Sequence, residues 1–157
     1  MLQKYLLIFF VSMVPLIELR GSIIMAVGMD LDYITALTVS VIGNMLPVPI
    51  IYFFARKVLI WGANKRYIGR FFRIFLEKGE NAGKKLTAAA GRGGLFVALL
   101  LFVGIPLPGT GAWTGTLAAS FLNMGIRATA AAVSLGVVMA GIIMGIASTG
   151  VFSVIGL

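Results

Sequence analysis

Two ionisable residues lie inside an apolar segment of this sequence, in the stretch VPLIELRGSI near the N-terminus. A charged side chain in a membrane costs about 3 kcal/mol or more, so Glu18 and Arg20 are functional candidates by default. Glu18 could be a protonatable coupling group, and Arg20 could neutralise it or bind an anionic substrate through its planar guanidinium. The alternative is a buried ion pair that only fixes the local structure. Residues two apart do not face each other in a regular helix, but Pro15 and Gly21 could unwind this one.

A second broken segment, GIPLPGTGAWTG, spans residues 104–115 and contains two prolines and four glycines. Such a composition cannot form an uninterrupted helix. Irregular backbone at membrane depth persists only where protein or a wet cavity satisfies it, so both broken segments are predicted to be re-entrant hairpins. A helix that begins at such a break exposes N–H groups and a partial positive charge, which favours an anion such as phosphate.

A third break, GNMLPVP, lies within the apolar run that follows the first segment. Asn44 could hydrogen-bond across to a hairpin or satisfy a carbonyl freed by Pro47, and the sequence favours neither. Asp30 could be a second acid at a cavity mouth, although a solvated loop residue is the simpler interpretation. The candidate coupling residues are therefore Glu18, Arg20 and Asp30; the candidate hairpin and cavity backbone comprises Pro15, Gly21, Ser22, Asn44, Pro47, Pro106, Pro108, Gly109, Thr110, Gly111, Trp113 and Thr114.

The positioning elements must be membrane helices. The 157 residues are 60% hydrophobic with a mean hydropathy of +1.05, and the apolar blocks 5–28, 33–55, 94–122 and 126–157 each reach the ~20 residues that a crossing needs. No clear cleavage site follows the first run, so we expect it to be retained. The chain has no histidine and no cysteine, so we expect no metal, no cofactor and no enzymatic activity.

The positive charge is concentrated in one loop. Ten of the thirteen basic residues lie in residues 56–92, which is typical of a cytoplasmic loop beside anionic lipid and argues against nucleic-acid binding. Within it, NKRYIGRFFRIFLEKG has the spacing of an amphipathic helix, with Trp61 as an interfacial anchor. The following residues, GENAGKKLTAAAGRGG, are predicted to form a flexible turn.

The two apolar halves repeat each other. Pro15-Leu16 precedes TALTVS in the first half, and Pro106-Leu107 precedes TAAAVS in the second. The predicted fold is a single all-α membrane domain, 1–157, with two inverted repeats (1–55 and 94–157), each a re-entrant helical hairpin plus a transmembrane helix, joined by the basic amphipathic linker 56–93. Four kinked spanning helices are the alternative, with both termini in the cytoplasm instead of outside.

The motifs ELRGSI, GNMLPVP, ARKVLIWG and IPLPGTGAWTG together resemble the small multidrug export protein family over nearly the whole chain. The plan is also similar to the DedA (VTT domain) superfamily of membrane transporters and scramblases. That resemblance implies proton-driven movement of polyprenyl phosphates or phospholipids, with Glu18 and Asp30 matching its hairpin acids. Its members carry arginines around the second hairpin; this chain has none there, which leaves Arg20 for the anion-binding role.

The predicted function is a small, proton-coupled secondary transporter for an amphipathic substrate such as a lipid-linked phosphate or phospholipid. The alternatives are a proton-coupled multidrug cation exporter with Glu18 as the key acid, and a non-transporting membrane scaffold or assembly factor. We expect a prokaryotic inner membrane, a cytoplasmic basic loop, contacts with membrane lipids, and a homodimer on the general frequency of two-fold assemblies.

Overall fold

The computed structural model describes residues 1–67, 69–90 and 94–155, with the side chains of all of these except residues 56, 75, 89, 90, 149 and 151–155. Ile68 and Arg92 of the basic loop therefore lie outside the described residues. The described residues form helices and turns, without a strand. The elements are α1 Leu2–Met13, α2 Glu18–Gly28, α3 Tyr33–Met45, α4 Val48–Ile50, a π-helix Ile51–Ala55, α5 Arg56–Ala63, α6 Gly69–Ala90, α7 Leu95–Gly104, α8 Ala112–Phe121 and α9 Ile126–Ile155.

Helix lengths fall into two classes. The helical stretches Tyr33–Ala55 and Ile126–Ser148 are 23 residues each and are long and apolar enough to cross a membrane. In contrast, α1, α2, α7 and α8 have only 10 to 12 residues. At about 1.5 Å per residue they reach roughly half of the ~30 Å hydrocarbon core. The predicted all-helical membrane protein is confirmed at this level.

The short helices are arranged as two pairs that fold back on themselves. In the first pair, the Lys4 ammonium near the start of α1 donates to the Met29 carbonyl just after α2, over 3.1 Å. In the second, Gly115 of α8 lies against Val103 of α7, where an added Cβ would stand 2.6 Å from a Val103 methyl group. Each pair is therefore joined by a turn at one end, and we call that turn with its adjoining helix ends a tip: residues 13–20 form the first tip and residues 105–113 the second.

The long helices α3 and α9 run antiparallel to each other. The Tyr33 hydroxyl at the start of α3 donates to the Gly141 carbonyl far along α9, over 3.0 Å. Near the end of α3, Met45 accepts through its sulfur from Ser134, and the Tyr52 hydroxyl donates to the Met124 carbonyl just before α9. Their shared core, which includes Val133 and Val137 of α9, also takes residues from the short helices of both halves: Leu19, Ile23, Leu99 and Val103.

The helical run that begins with α3 is interrupted at Leu46–Pro47 and then widens into the π-helix Ile51–Ala55. Proline causes the first irregularity, because it has no N–H to donate and its ring crowds the preceding turn. A π-helical turn is a rarer distortion that occurs often at functional sites. The break that GNMLPVP predicts is therefore a local bend within a helical run.

The predicted flexible turn over 79–94 is wrong for residues 79–90, because α6 remains helical from Gly69 to Ala90; residues 91–93 lie outside the described residues. One of the glycines that suggested a turn instead allows close helix packing. Gly79 lies against Leu117 of α8, with 2.7 Å between an ideal Cβ and the nearest leucine methyl group. Ala82 and Leu86, further along the same helix, are buried in the core. Tertiary packing thus overrides the weak helix propensity of glycine.

Candidate functional site

The two tips lie against each other, and both contain residues with positive φ angles. Leu16 and Glu18 adopt positive φ angles of 76° and 51° in the first tip and at the start of α2. Gly109 and Gly111 adopt φ angles of 82° and 151° in the second tip. Positive φ in a branched or long side chain is uncommon and persists only where surrounding structure holds it. At Glu18 that structure is α8.

Glu18 holds the N-terminus of α8. One carboxylate oxygen accepts from the Ala112 N–H and the other from the Trp113 N–H, each over 3.1 Å. The side chain is buried, at 6% exposure, so these charge-assisted bonds replace its water. The first N–H groups of a helix lack intrahelical partners and carry partial positive charge. An ionised Glu18 therefore occupies the anion position predicted at this break.

Gly111 makes this approach possible. An ideal Cβ on Gly111 would lie 2.7 Å from the Glu18 carboxyl carbon and would also overlap its oxygens. Carbon atoms normally approach to about 3.5 Å or more, so any larger residue would displace the carboxylate. The glycine is thus required both by its φ of 151° and by its contact with Glu18.

Arg20 makes the complementary contact at the end of α7. Its guanidinium donates to the Leu107 carbonyl and to the Thr110 hydroxyl oxygen, each over 2.8 Å, and to the Ile105 carbonyl over 3.5 Å. The carbonyl end of a helix carries partial negative charge, so a cation is favourable here. Both charged residues of the first broken segment, Glu18 and Arg20, consequently bond to the second half, as caps on the two ends of its break.

A reciprocal contact runs from the second half to the first. The Trp113 indole N–H donates to the Met13 carbonyl at the end of α1, over 3.1 Å. A buried indole usually needs such a partner, and this one satisfies a terminal carbonyl of α1. Each tip therefore supplies hydrogen-bond partners for polar groups of the other tip. We call this hydrogen-bonded contact between the two tips the junction.

A cavity of about 550 Å³ adjoins this junction. Glu18, Arg20, Thr110, Thr114 and Lys78 supply its polar groups, together with the Trp113 ring. The rest of its wall is mainly apolar and comes from the first tip, α4, the π-helix, α5, α6 and α8: Met13, Leu16, Ile50, Ile51, Phe54, Val58, Leu59, Phe71, Phe72 and Leu117. The arrangement can hold a molecule with an apolar body and a charged end.

The structure brings one group of the predicted site residues together and separates others from it. The cavity is lined by Pro15, Glu18, Arg20, Pro47, Gly109, Thr110, Trp113 and Thr114. Pro106 and Pro108 lie in the second tip with Gly111. Asp30 is exposed beyond the far end of α2, about 15 Å along the axis from Glu18 by helix rise, and does not join the site.

Three further predicted residues lie in helix packing. Gly21 is in α2, where an added Cβ would overlap Ile17. Ser22 is fully buried and donates to the Leu19 carbonyl of its own helix over 2.9 Å. Asn44 is buried at 1% exposure, and its side-chain oxygen has no partner among the described residues. Neither predicted interaction of Asn44 accounts for that oxygen, and the roles of all these residues stay predictions.

Sequence reasoning missed the part of the cavity that comes from the basic loop. Lys78, Phe71 and Phe72 of α6 line it, although the sequence indicates only an amphipathic surface helix there. The amphipathic spacing could have identified a buried face, but a single sequence does not reveal what that face covers. Among the described residues, no group of three or more histidine, cysteine or acidic residues could hold a metal ion.

The long apolar helices, the short paired helices and the mostly apolar cavity define a helical membrane protein. The family described as "Putative small multi-drug export protein" matches residues 18–143, well over half of the chain. The chain belongs to this small multi-drug export protein family, which confirms the resemblance drawn from its motifs and points to a transporter rather than an enzyme. No curated protein and no solved structure matches it. The similarity to the DedA superfamily stays a prediction.

Proposed function

We propose that this protein is a small proton-coupled secondary transporter whose cavity carries an amphipathic substrate such as a lipid-linked phosphate or phospholipid. One observation carries the proposal: a buried carboxylate, Glu18, both lines the cavity and holds the two tips together. A change in its charge would alter the binding surface and the contact between the halves at once. That is what coupling a proton to a substrate requires.

The cavity favours an amphipathic anion. Its volume of about 550 Å³ lies within the ~300–1,000 Å³ range of small-molecule sites, and its apolar wall suits a hydrocarbon chain. Two cations, Arg20 and Lys78, and one carboxylate, Glu18, line the cavity, and all their hydrogen-bond partners in the second tip are neutral. The balance of charge facing a ligand is therefore positive. A phosphate headgroup would bind near Arg20 and Lys78, with the hydrocarbon chain of the ligand along the aromatic residues of the wall.

Proton binding to Glu18 would loosen the junction. The ionised carboxylate accepts two N–H groups at the positive end of α8, and charge-assisted bonds of this kind are worth about 1.5–3 kcal/mol each. Protonation removes the charge and turns one oxygen into a donor. The first tip then holds α8 less tightly. In the proposed cycle, a proton on Glu18 thus favours separation of the tips and access to the cavity from the other side.

We further propose that the two short pairs are re-entrant hairpins inserted from opposite sides, as an inverted repeat. Three features support this: the short helices fold back, the tips meet each other, and α3 runs antiparallel to α9. A chain of four kinked spans would not bring the tips into contact at the ends of half-length helices. The concentration of basic residues favours a cytoplasmic loop 56–93 in a prokaryotic inner membrane.

A multidrug cation exporter is the second candidate, favoured by the family description. It uses Glu18 as the binding acid and requires the carboxylate to leave the Ala112 and Trp113 N–H groups. Arg20 and Lys78 would then oppose a cationic drug. A scaffold or assembly factor is the remaining alternative, in which the charge of Glu18 has no role in movement of any substrate.

Transport in proteoliposomes under an imposed pH gradient distinguishes these functions. The assay follows a short-chain fluorescent phosphatidic acid and, separately, the lipophilic cation ethidium. We expect gradient-driven movement of the anion, its loss in Glu18→Gln, and its retention in Glu77→Gln, a control at an exposed acid of α6. Movement of ethidium alone would replace the proposal with the cation exporter. If neither probe moves through the native protein, the transport function is wrong for both classes.

A further inference from the structure

A second, smaller cavity of about 270 Å³ lies beside the second tip. Ala98, Leu101 and Phe102 of α7 form one apolar wall, and Leu86 of α6 contributes to another. Lys85 is the one charged residue among those that line it. No part of the transport cycle described above uses this space.

The second tip separates the two cavities. Thr110 lines both of them, whereas Ile105 and Leu107 line only the smaller one. These same three residues supply the acceptors of Arg20, which reaches them from the larger cavity. The partition between the cavities is therefore one loop, and Arg20 is bonded to three of its residues.

Both cavities take a lysine from the same face of α6. Lys78 lines the larger cavity and Lys85 the smaller one. Residues seven apart complete nearly two turns and share a helix face, about 10 Å apart along the axis. Each cavity consequently combines apolar walls with one ammonium group from α6. The shared pairing of apolar walls with an ammonium group indicates that both cavities suit the same class of ligand, although only the larger one also has Glu18 and Arg20 in its lining.

We propose that the smaller cavity is a second binding site for an amphipathic anion, with the apolar chain against α7 and the anionic group at Lys85. The chemical class follows from charge complementarity, because no carboxylate lines this cavity. This proposal rests on the proposed function in one respect: it takes the ligand of the smaller cavity to be of the same class as the ligand of the larger one. A ligand leaving one cavity would meet the next lysine of α6 after passing the second tip.

Fluorescence quenching at single cysteines tests the second site, since the natural chain contains no cysteine. A bimane is attached at Leu101→Cys to report on the smaller cavity, or at Val58→Cys to report on the larger one. The probes are 12-bromododecyl phosphate and 12-bromododecyl trimethylammonium, which share a quenching tail and differ in charge. We expect saturable quenching at Leu101→Cys by the phosphate at lower concentration than by the ammonium compound.

The lysines provide a matched pair of variants. Lys85→Gln should raise the phosphate concentration for half-quenching at Leu101→Cys by about tenfold or more, as for loss of a charged hydrogen bond. Lys84→Gln should leave it unchanged, because Lys84 lines a different surface pocket with Glu80 and Thr87. Both lysines are exposed, so neither change threatens the fold, and circular dichroism verifies it.

The two reporters distinguish failure of this inference from failure of the proposed function. Equal quenching by both probes at Leu101→Cys, unaffected by Lys85→Gln, would overturn the second site and leave an ordinary lipid-filled cleft. The same equality at Val58→Cys alone would instead count against an anionic substrate in the larger cavity. Phosphate selectivity at Leu101→Cys would still support the second site in that case.

Discussion

Replacing Gly111 with alanine should break the junction between the two tips. The new Cβ would lie 2.7 Å from the Glu18 carboxyl carbon, whereas carbon atoms approach normally to about 3.5 Å or more. The carboxylate must therefore withdraw by about 1 Å, which stretches its two 3.1 Å hydrogen bonds beyond the ~3.2 Å limit for such bonds.

The magnitude follows from what is lost. Hydrogen bonds to a charged group contribute about 1.5–3 kcal/mol each, so two of them correspond to about 3–6 kcal/mol of unfolding free energy at most. A φ of 151° adds a backbone cost for alanine, of about 1–3 kcal/mol. Relaxation of the tips will recover part of the total. We expect Gly111→Ala to lower the free energy of unfolding by at least about 3 kcal/mol.

Equilibrium unfolding in mixed micelles, followed by tryptophan fluorescence, measures this loss. Gly109→Ala is the matched control, because Gly109 also has positive φ but has open space around an ideal Cβ. It should show the backbone cost alone. When Glu18 is already replaced by alanine, the new Cβ of Gly111→Ala has no carboxylate to displace. Gly111→Ala should then lower the free energy of unfolding by about 2 kcal/mol less than it does in the native chain. Equal losses for the two glycine variants would refute the contact between Glu18 and α8.

Three further changes test the packing and the helix ends by the same unfolding measurement. Gly79→Ala should lower the free energy of unfolding by about 1–3 kcal/mol, because its Cβ would lie 2.7 Å from Leu117. Gly83→Ala is the control and should be tolerated, since the nearest atom to its Cβ would be 3.7 Å away. Equal effects of the two changes would contradict the close contact between α6 and α8. Tyr33→Phe should cost about 0.6 kcal/mol, the typical value for one interhelical hydrogen bond in a membrane, and no loss would argue against that bond. Hydrogen bonds from the side chain and backbone of Thr35, in the first turn of α3, lower the pKa of Asp32 below its ordinary 3.8. The stabilisation by ionised Asp32 is therefore complete above pH 3.8 and is lost as the pH falls through the lowered pKa. The difference in unfolding free energy between the native chain and Asp32→Ala should vanish below that pKa, and a pH-independent difference would contradict the capping role of Asp32.

The sequence was informative where backbone chemistry dominates. Proline and glycine located both tips and the bend at Pro47, because their effects on the backbone are local. The same reasoning failed at Gly79, where glycine serves close packing against Leu117 within a helix. Glycine has both uses, and only the partner helix decides between them. That partner lies almost forty residues away in the sequence.

The two charged residues of the first tip could be predicted as candidates, but not their contacts. Glu18 and Arg20 stood out because charges in an apolar segment are rare. Their actual partners are backbone groups of the second tip, which no side-chain pattern announces. The aromatic wall from α6 was missed for a related reason, since amphipathic spacing predicts a face without naming what it covers.

Insertion of the two hairpins from opposite sides is the central claim, and a topology map with single cysteines tests it most directly. The cysteines replace Leu2, Gly150, Asn81, Leu16 and Gly109 in turn, and an impermeant thiol reagent probes each from both sides of intact cells. We predict that Leu2 and Gly150 label from outside, that Asn81 labels only from inside, and that Leu16 and Gly109 react through water. Labelling of both terminal positions from inside, with inert tips, would contradict the inverted repeat.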